Sequence, residues 1–312
     1  MKSMVVTGAT SMIGVALIEA ALEENEVKHI YAVVHPGTKK IGRIPKNPRV
    51  SIIECDLSKY DALPGLIPDI CDVFYHFAWH RTETYAESFQ DIYQKAENIR
   101  AGLMAVKAAK ELGCSTFVGA GGQSEYGVSH TGKLAPGTPC NPVRADGILK
   151  YAVGKLVRLQ AENYGMNCIW IRIFSVYGKY DRPNSMVSTT ISKLHRKEHC
   201  SFTPSRQMWD YLNAEDIGRA FYLAGKLCVG SRVYCVGSGE EKPLQEFIET
   251  IRDIVDPTAE LGIGELPYPL NPVMRLCADI SDFQRDTGWK PRVSFQDGIQ
   301  KLYRQMIDDG VI

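Results

Sequence analysis

Through the first 176 residues, short runs rich in Val, Ile and aromatic side chains alternate with longer stretches whose apolar positions recur every three or four residues. The runs at 4–6, 29–34, 50–54, 73–77, 116–118 and 168–173 read as strands. The stretches at 13–24, 96–112 and 150–164 read as helices. Strand, helix and strand at this rhythm predict a parallel sheet wrapped by helices on both faces. Right-handed crossovers then give a doubly wound, Rossmann-like α/β order.

Beyond Tyr177 the pattern loosens. Helical stretches at 188–196 and 244–255 alternate with Pro-rich loops such as Leu-Pro-Tyr-Pro-Leu-Asn-Pro at 266–272, whereas 216–235 again reads as helix followed by strand. The expected organisation is a sheet domain over 1–176 plus about 209–237. A smaller, discontinuous C-terminal region over about 177–208 and 238–312 would cap it. A cleft between the two is where a ligand would sit.

Composition narrows the class. Among 312 residues, 45% are apolar and 23% charged, which excludes a disordered, collagenous or coiled-coil chain. Lys plus Arg and Asp plus Glu both number 36, so there is no basic surplus to make nucleic acid the main partner. No apolar run is long enough to span a membrane, and the N-terminus runs directly into a strand without a signal-peptide layout. Nine scattered cysteines, none spaced as CxxC, predict reduced, buried thiols in a cytoplasmic protein and no zinc site. His195 and His199, with Cys200 alongside, do not change that, because Glu198 is misplaced for an HExxH pattern.

Thr7-Gly8-Ala9-Thr10-Ser11-Met12-Ile13-Gly14 joins the first strand to the first helix. A dinucleotide pyrophosphate bound there needs close backbone approach and the positive end of a helix. Gly8 and Gly14 hold the outer positions of a GxxGxxG spacing, and Ser11 the middle one. Thr10, Ser11, Met12 and Ile13 are the expected contacts between them. Asp56-Leu57 follows the third strand, where a carboxylate can accept from an adenine amino group. After the second strand, where an acid would hold a ribose 2′-hydroxyl, stands His35. With Lys39 and Lys40 it offers cations for a 2′-phosphate, which favours NADP over NAD by a small margin.

Taken together these residues resemble the extended short-chain dehydrogenase/reductases, in particular the nucleotide-sugar epimerases, dehydratases and ketoreductases. The resemblance runs along almost the whole chain. It takes in the 7–14 loop, Asp56-Leu57, Val73-Phe74-Tyr75-His76-Phe77-Ala78, Asn98 and the run from Arg172 to Gly178. It continues through Trp209-Asp210-Tyr211, Asp216, the run from Val233 to Gly239 and Asp286-Thr287-Gly288-Trp289-Lys290-Pro291. It implies an NAD(P)-binding sheet with Ala78 and Lys150 beside the cofactor, and a cap that takes a nucleoside diphosphate sugar. It also implies a homodimer paired through the helices at 96–112 and 150–164.

The catalytic positions depart from that pattern. The family places Ser or Thr four residues before the Tyr of a Tyr-Gly pair; here the pair is Tyr126-Gly127 and four back is Gly122. It places a Tyr four residues before a Lys; Lys150 is present, but Asp146 holds the Tyr position. Tyr151 and Lys155 also spell YxxxK. However, Asn141-Pro142 and Gly147 anchor the register on Asp146, and a five-residue shift turns a helix by about 140°. A carboxylate is ionised at neutral pH, so it cannot donate a proton and is a weak base. An ion pair of Asp146 with Lys150 is expected to compete for the ammonium that would hold the nicotinamide ribose. Ser124 and Tyr126 are the hydroxyls near enough to compensate.

Trp79, His80 and Arg81, at the C-terminal end of a strand, are candidate substrate contacts. Arg275, after the Pro-rich loop, either touches a pyrophosphate or closes a surface salt bridge. Two functions fit these residues. One is an NAD(P)-binding nucleotide-sugar oxidoreductase or epimerase with an atypical site, in which Asp146 serves as a carboxylate base. The other is a catalytically silent homologue, evolved or engineered, that binds cofactor or nucleotide sugar as a sensor or scaffold.

Overall fold

The computed structural model describes residues 1–80, 92–128 and 132–312, apart from the side chain of Gln94. Seven strands form one sheet: β1 (Ser3–Thr7), β2 (His29–Val34), β3 (Val50–Glu54), β4 (Val73–His76), β5 (Thr116–Gly122), β6 (Asn167–Ile173) and β7 (Ser231–Val236). Their spatial order is β7-β6-β5-β4-β1-β2-β3, and every pair is parallel. Met4, Val5 and Val6 of β1 are fully buried, as a strand covered on both faces must be. The chain starts in the middle of the sheet, runs outward to β3 and returns to β4 on the other side of β1. The crevice at the C-terminal ends of β1 and β4 is therefore the topological switch point, where ligands of this architecture bind.

Nine helices are seen among the described residues: α1 (Met12–Leu22), α2 (Leu63–Leu66), α3 (Ile92–Glu111), α4 (Ala145–Asn163), α5 (Met186–His195), α6 (Ala214–Leu227), α7 (Leu244–Val255), α8 (Ser281–Thr287) and α9 (Phe295–Asp308). Leu17, Ile18 and Ala21 of α1 pack with Ile217, Phe221 and Ala224 of α6 in the core on one face of the sheet. Ala105, Val106 and Ala109 of α3 pack with Val153, Val157 and Ala161 of α4 in the core on the other. A third core, built from Val187, Ile191, Ile251, Ile299, Leu302 and Met306, belongs to α5, α7 and α9. None of the described helices is long and apolar enough to cross a membrane. All nine cysteines are unpaired and eight are buried, as expected of apolar core thiols.

Two buried carboxylates join the third core's segments to the sheet. Asp210 accepts from Ser238 N (2.7 Å), Ser238 Oγ (2.8 Å), Gly239 N (3.2 Å) and Ala278 N (3.0 Å). Asp216, in the first turn of α6, accepts from Arg292 N and Val293 N, each at 3.0 Å, while its carbonyl takes the indole N–H of Trp289. These bonds give a structural reason for the short polar motifs at 209–216 and 286–291.

Two of the differences from expectation bear on the cleft. Strand β5 continues four residues beyond Val118, through Gly119-Ala120-Gly121-Gly122, and α4 begins at Ala145 rather than at 150. Small residues score poorly as strand formers, but here the indole of Trp170 lies across them. A Cβ on Gly119 would sit 2.5 Å from Trp170 Cζ3, and one on Gly154 2.5 Å from Trp170 Cε2. The early start of α4 is consistent with Asp146 in its first turn, where a carboxylate suits the helix dipole. Gly119→Ala should therefore destabilise the protein by about 1–3 kcal/mol through overpacking. A lowered urea midpoint at unchanged denaturant dependence would show it.

Candidate active site

A cleft of about 1080 Å³ runs along the C-terminal ends of the strands, from the loop after β1 to Trp209 and Tyr211. At its floor the first loop makes a tight cradle. Gly8 has a φ of +66°, and a Cβ there would lie 2.7 Å from Ala78 N. A Cβ on Gly14 would lie 2.5 Å from Gly8 O. Ser11, the middle residue, caps α1: its Oγ accepts from Gly14 N at 3.1 Å, so its side chain is folded onto the helix end. Thr10, Ser11, Met12 and Ile13 face the cleft, and Gly14 lies behind them. Two glycines that no larger residue can replace, beside the N-terminus of an 11-residue helix, fit a diphosphate.

The next section of the cleft is lined by His35, Lys40, Asp56 and Leu57. His35 Nε2 stands 3.1 Å from Asp56 Oδ2. Hydrogen bonds from Ser58 hold the Asp56 carboxyl below the usual carboxylate range, with His35 contributing less. Lys39 lies outside the lining residues. Arg43, which no spacing in the sequence singles out, lies inside it. Its guanidinium is 4.5 Å above the ring of Tyr180, and Nη1 donates to Thr10 O at 3.4 Å.

The corner beneath β4, β5 and α4 departs most from expectation. Asp146 does not pair with Lys150. Its Oδ1 lies 3.0 Å from Nζ of Lys95, a lysine of α3 that is almost wholly buried. The close packing of α3 on α4 at Gly102, where a Cβ would sit 2.9 Å from Val153, brings the two side chains together. Lys150 Nζ instead donates to Ala120 O at 2.9 Å and lies 5.0 Å from the centre of the Trp79 ring. Asn98, on the same helix as Lys95, accepts from His80 N (2.7 Å) and donates to His80 O (3.2 Å), fixing the Trp79-His80 segment. Trp79, Ala78 and His80 line the cleft; Arg81 lies outside the described residues.

The two candidate hydroxyls separate. Ser124 faces the cleft, with Oγ 3.9 Å from where a Cβ on Gly122 would stand. That Cβ would make only ordinary contacts, the nearest being Lys150 Cδ at 3.7 Å. Tyr126 corrects the expectation for it. It is buried, its hydroxyl donates to Ala135 O (2.7 Å) and accepts from Arg172 Nη1 (2.9 Å), and Cys235 Sγ is 2.9 Å away. Burial, then Cys235, pushes its phenol far above the ordinary range, so it is a packing residue. Glu125 beside it is equally buried and takes Gly122 N, Trp170 Nε1 and Arg172 Nε.

Other candidates resolve simply. Lys155 Nζ sits over the ring of Tyr151, and neither residue lines the cleft. Arg275 makes a two-pronged ion pair with Glu241 and lies outside the cleft lining. Arg144 and Arg182 are the guanidinium groups that line the cap side. His195 bonds to Tyr303 and His199 to Glu265, so the two rings do not converge.

A doubly wound parallel sheet, a glycine cradle at its switch point and a cleft along the strand ends define a Rossmann-type α/β protein. The chain belongs to the NAD dependent epimerase/dehydratase family, whose pattern it matches over residues 4–237, within the extended short-chain dehydrogenase/reductases. An uncharacterized UDP-glucose epimerase of Bacillus subtilis (strain 168) is 26% identical over 307 residues, 94% of either chain. The UDP-glucuronic acid 4-epimerase of Bacillus cereus, in complex with UDP-glucuronic acid and NAD, superposes with a TM-score of 0.84 at 23% identity. That match covers 98% of this chain and 99% of the other. RMD from Pseudomonas aeruginosa, complexed with NADPH, gives 0.79 at 20% identity, over 97% and 98%.

One buried base in the cleft wall has a consequence for stability. His76 Nδ1 shares a 2.9 Å hydrogen bond with Thr7 Oγ1, and burial, helped by Lys150, lowers its pKa from 6.5 to about 4. The folded state thus binds its proton later than the unfolded chain. The associated stability is complete above about pH 6.5 and drains away as pH falls toward 4. A shift of this size is on the order of 3 kcal/mol. Urea titrations between pH 7 and pH 4.5 should show a shallower loss for His76→Gln than for the unaltered protein.

Proposed function

We propose that the protein is an NAD(P)-binding enzyme acting on a nucleoside diphosphate sugar, with an atypical proton-transfer site. The supporting observation is the continuity of the cleft. The glycine cradle, the His35–Asp56 section, Arg144, Lys150, Trp209, Tyr211 and the cap residue Arg182 all line one space. Residues 1–176 with about 209–237 would hold the cofactor, and about 177–208 with 238–312 the sugar nucleotide. A bound nicotinamide would supply hydride transfer. Gly8, Thr10, Ser11, Met12, Ile13 and Gly14 would hold its pyrophosphate, Asp56 and Leu57 the adenine, and Ala78 and Lys150 the nicotinamide half. Trp79 and His80 would border the sugar.

Asp146 stands at the family's Tyr position and Gly122 at its Ser position. With Oδ1 held by Lys95, the carboxylate would accept a proton next to a keto group, a step that needs a base but no phenol. A second reading, a silent homologue that binds without turnover, is favoured by the engagement of Lys150 with Ala120 O and Trp79. A homodimer through α3 and α4 fits the exposure of Tyr93, Ile148 and Leu159. A cytoplasmic location fits the unpaired, buried cysteines.

Calorimetric titration with NAD, NADH, NADP and NADPH is the first test. Micromolar or tighter binding of at least one is expected; binding of none would remove the oxidoreductase reading. The cations around His35, Lys40 and Arg43 favour NADP, so Arg43→Ala should weaken NADPH about 10- to 100-fold relative to NADH. That is the loss of one charge-assisted hydrogen bond of about 1.5–3 kcal/mol.

Turnover of 4-keto nucleotide sugars separates the two readings. If Asp146 is the base, Asp146→Asn should lower kcat by about 10²–10⁴-fold. If the protein is silent, reductase activity should appear only when Gly122→Ser and Asp146→Tyr are combined.

A further inference from the structure

Gln123 opens the turn after β5, between the unoccupied side-chain position of Gly122 and Ser124, and it lines the cleft. The direction of its carboxamide follows from its partner. Ser175 N donates to Gln123 Oε1 at 2.8 Å, and Ser175 Oγ donates to the same oxygen at 3.2 Å. A backbone N–H can only donate, so the atom it faces is the amide oxygen and the NH2 group points away. The two N–H bonds of that group have no acceptor among the described residues, and neither has the Ser124 hydroxyl a partner there. Ser175 itself has a φ of +20°, a backbone shape that residues with side chains seldom adopt.

We propose that Gln123 Nε2 and Ser124 Oγ form a two-donor cradle for the oxygen on the reacting carbon of the sugar. The cradle replaces the hydroxyl that residue 122 lacks, and Gln123 is its substrate-positioning residue. The inference rests on the reading of the cleft as a nucleotide-sugar site. The geometry supports it from three sides. Ser124 Oγ is 3.9 Å from the missing Cβ, and the methylenes of Lys150 border the same gap at 3.7 Å. The amide oxygen is fully occupied by Ser175, so Gln123 can offer only donors. Donors suit a keto oxygen, or a hydroxyl becoming an alkoxide, because they strengthen as negative charge develops. An amide also keeps its protons at every working pH. The substrate class is therefore a nucleotide sugar with an oxygen, keto or hydroxyl, at the carbon being modified.

The test uses Gln123→Glu and Gln123→Leu in the full-length protein, saturated with whichever nicotinamide cofactor it binds. Glutamate keeps two acceptor oxygens for Ser175 but removes both donors, so it separates holding Ser175 from holding the sugar. Calorimetry would compare UDP-glucose, UDP-glucuronic acid and dTDP-glucose with the sugar-free UDP and dTDP. The readout is the ratio of each nucleotide's Kd to that of its sugar conjugate, with the uncharged Gln123→Leu as the control for the added charge of glutamate. Both variants should lower this ratio by about tenfold or more, as expected for lost hydrogen bonds to the sugar, while Gln123→Glu retains the wild-type melting temperature. An unchanged ratio in Gln123→Glu overturns the proposal and leaves Gln123 as a brace for Ser175. If the unaltered protein binds none of the three sugar nucleotides, the underlying reading of the cleft fails, and the cradle fails with it.

Discussion

The carboxylate of Glu125 lies buried between β5 and β6 and accepts from Gly122 N (2.9 Å), Trp170 Nε1 (3.0 Å) and Arg172 Nε (2.8 Å). An ionised group removed from water is tolerable only when its charge and lone pairs are met, and here a guanidinium and two N–H donors meet them. The consequence is geometric. With Glu125 pinned inward, the short turn over Gln123–Tyr126 has one available orientation: Tyr126 goes into the core, and Gln123 and Ser124 face the cleft. The end of β5 is thereby held against β6 at the wall of the cleft.

Around that fixed corner, charge is distributed in a way that pairwise reasoning on a helix misses. Asp146 and Lys150 are one turn apart on α4, the usual spacing for an ion pair. Yet a buried lysine cannot be left uncompensated, and Lys95 has Asp146 within reach at 3.0 Å. Lys150 instead donates to a carbonyl and lies over an indole face. The aspartate thus neutralises α3 rather than α4.

Much of the architecture was legible in the chain. The strands over 29–34 and 50–54 and the helix over 244–255 coincide with β2, β3 and α7, because turn residues bound each of them. Residues of the glycine loop, Asp56, Ala78 and Lys150 all line the cleft. What escaped were features that depend on residues far apart in sequence. The extension of β5 through small residues is legible only once Trp170 is known to lie over them. Arg43 and Lys95 reach the site from other elements, with no spacing to announce them. Tyr126 reads as a candidate hydroxyl from its closeness to Gly122 along the chain, whereas its hydroxyl is claimed by Arg172, 46 residues on. Gln123 carried no signal at all, since an amide in a turn is ordinary until its partner is seen.

The glycines at the end of β5 are not equivalent, and the difference bears on how such a site changes over generations. At Gly121 a Cβ would collide with Glu125 Oε1 and Trp170 Nε1, both at 2.3 Å, so that position is locked unless its neighbours change first. At Gly122 a Cβ meets nothing closer than 3.7 Å. A hydroxyl there can be lost or regained in a single substitution that leaves the buried network beneath it intact. The scaffold therefore imposes no ratchet on this part of the active site: a lineage that abandons the family's chemistry at residue 122 keeps a one-step route back to it.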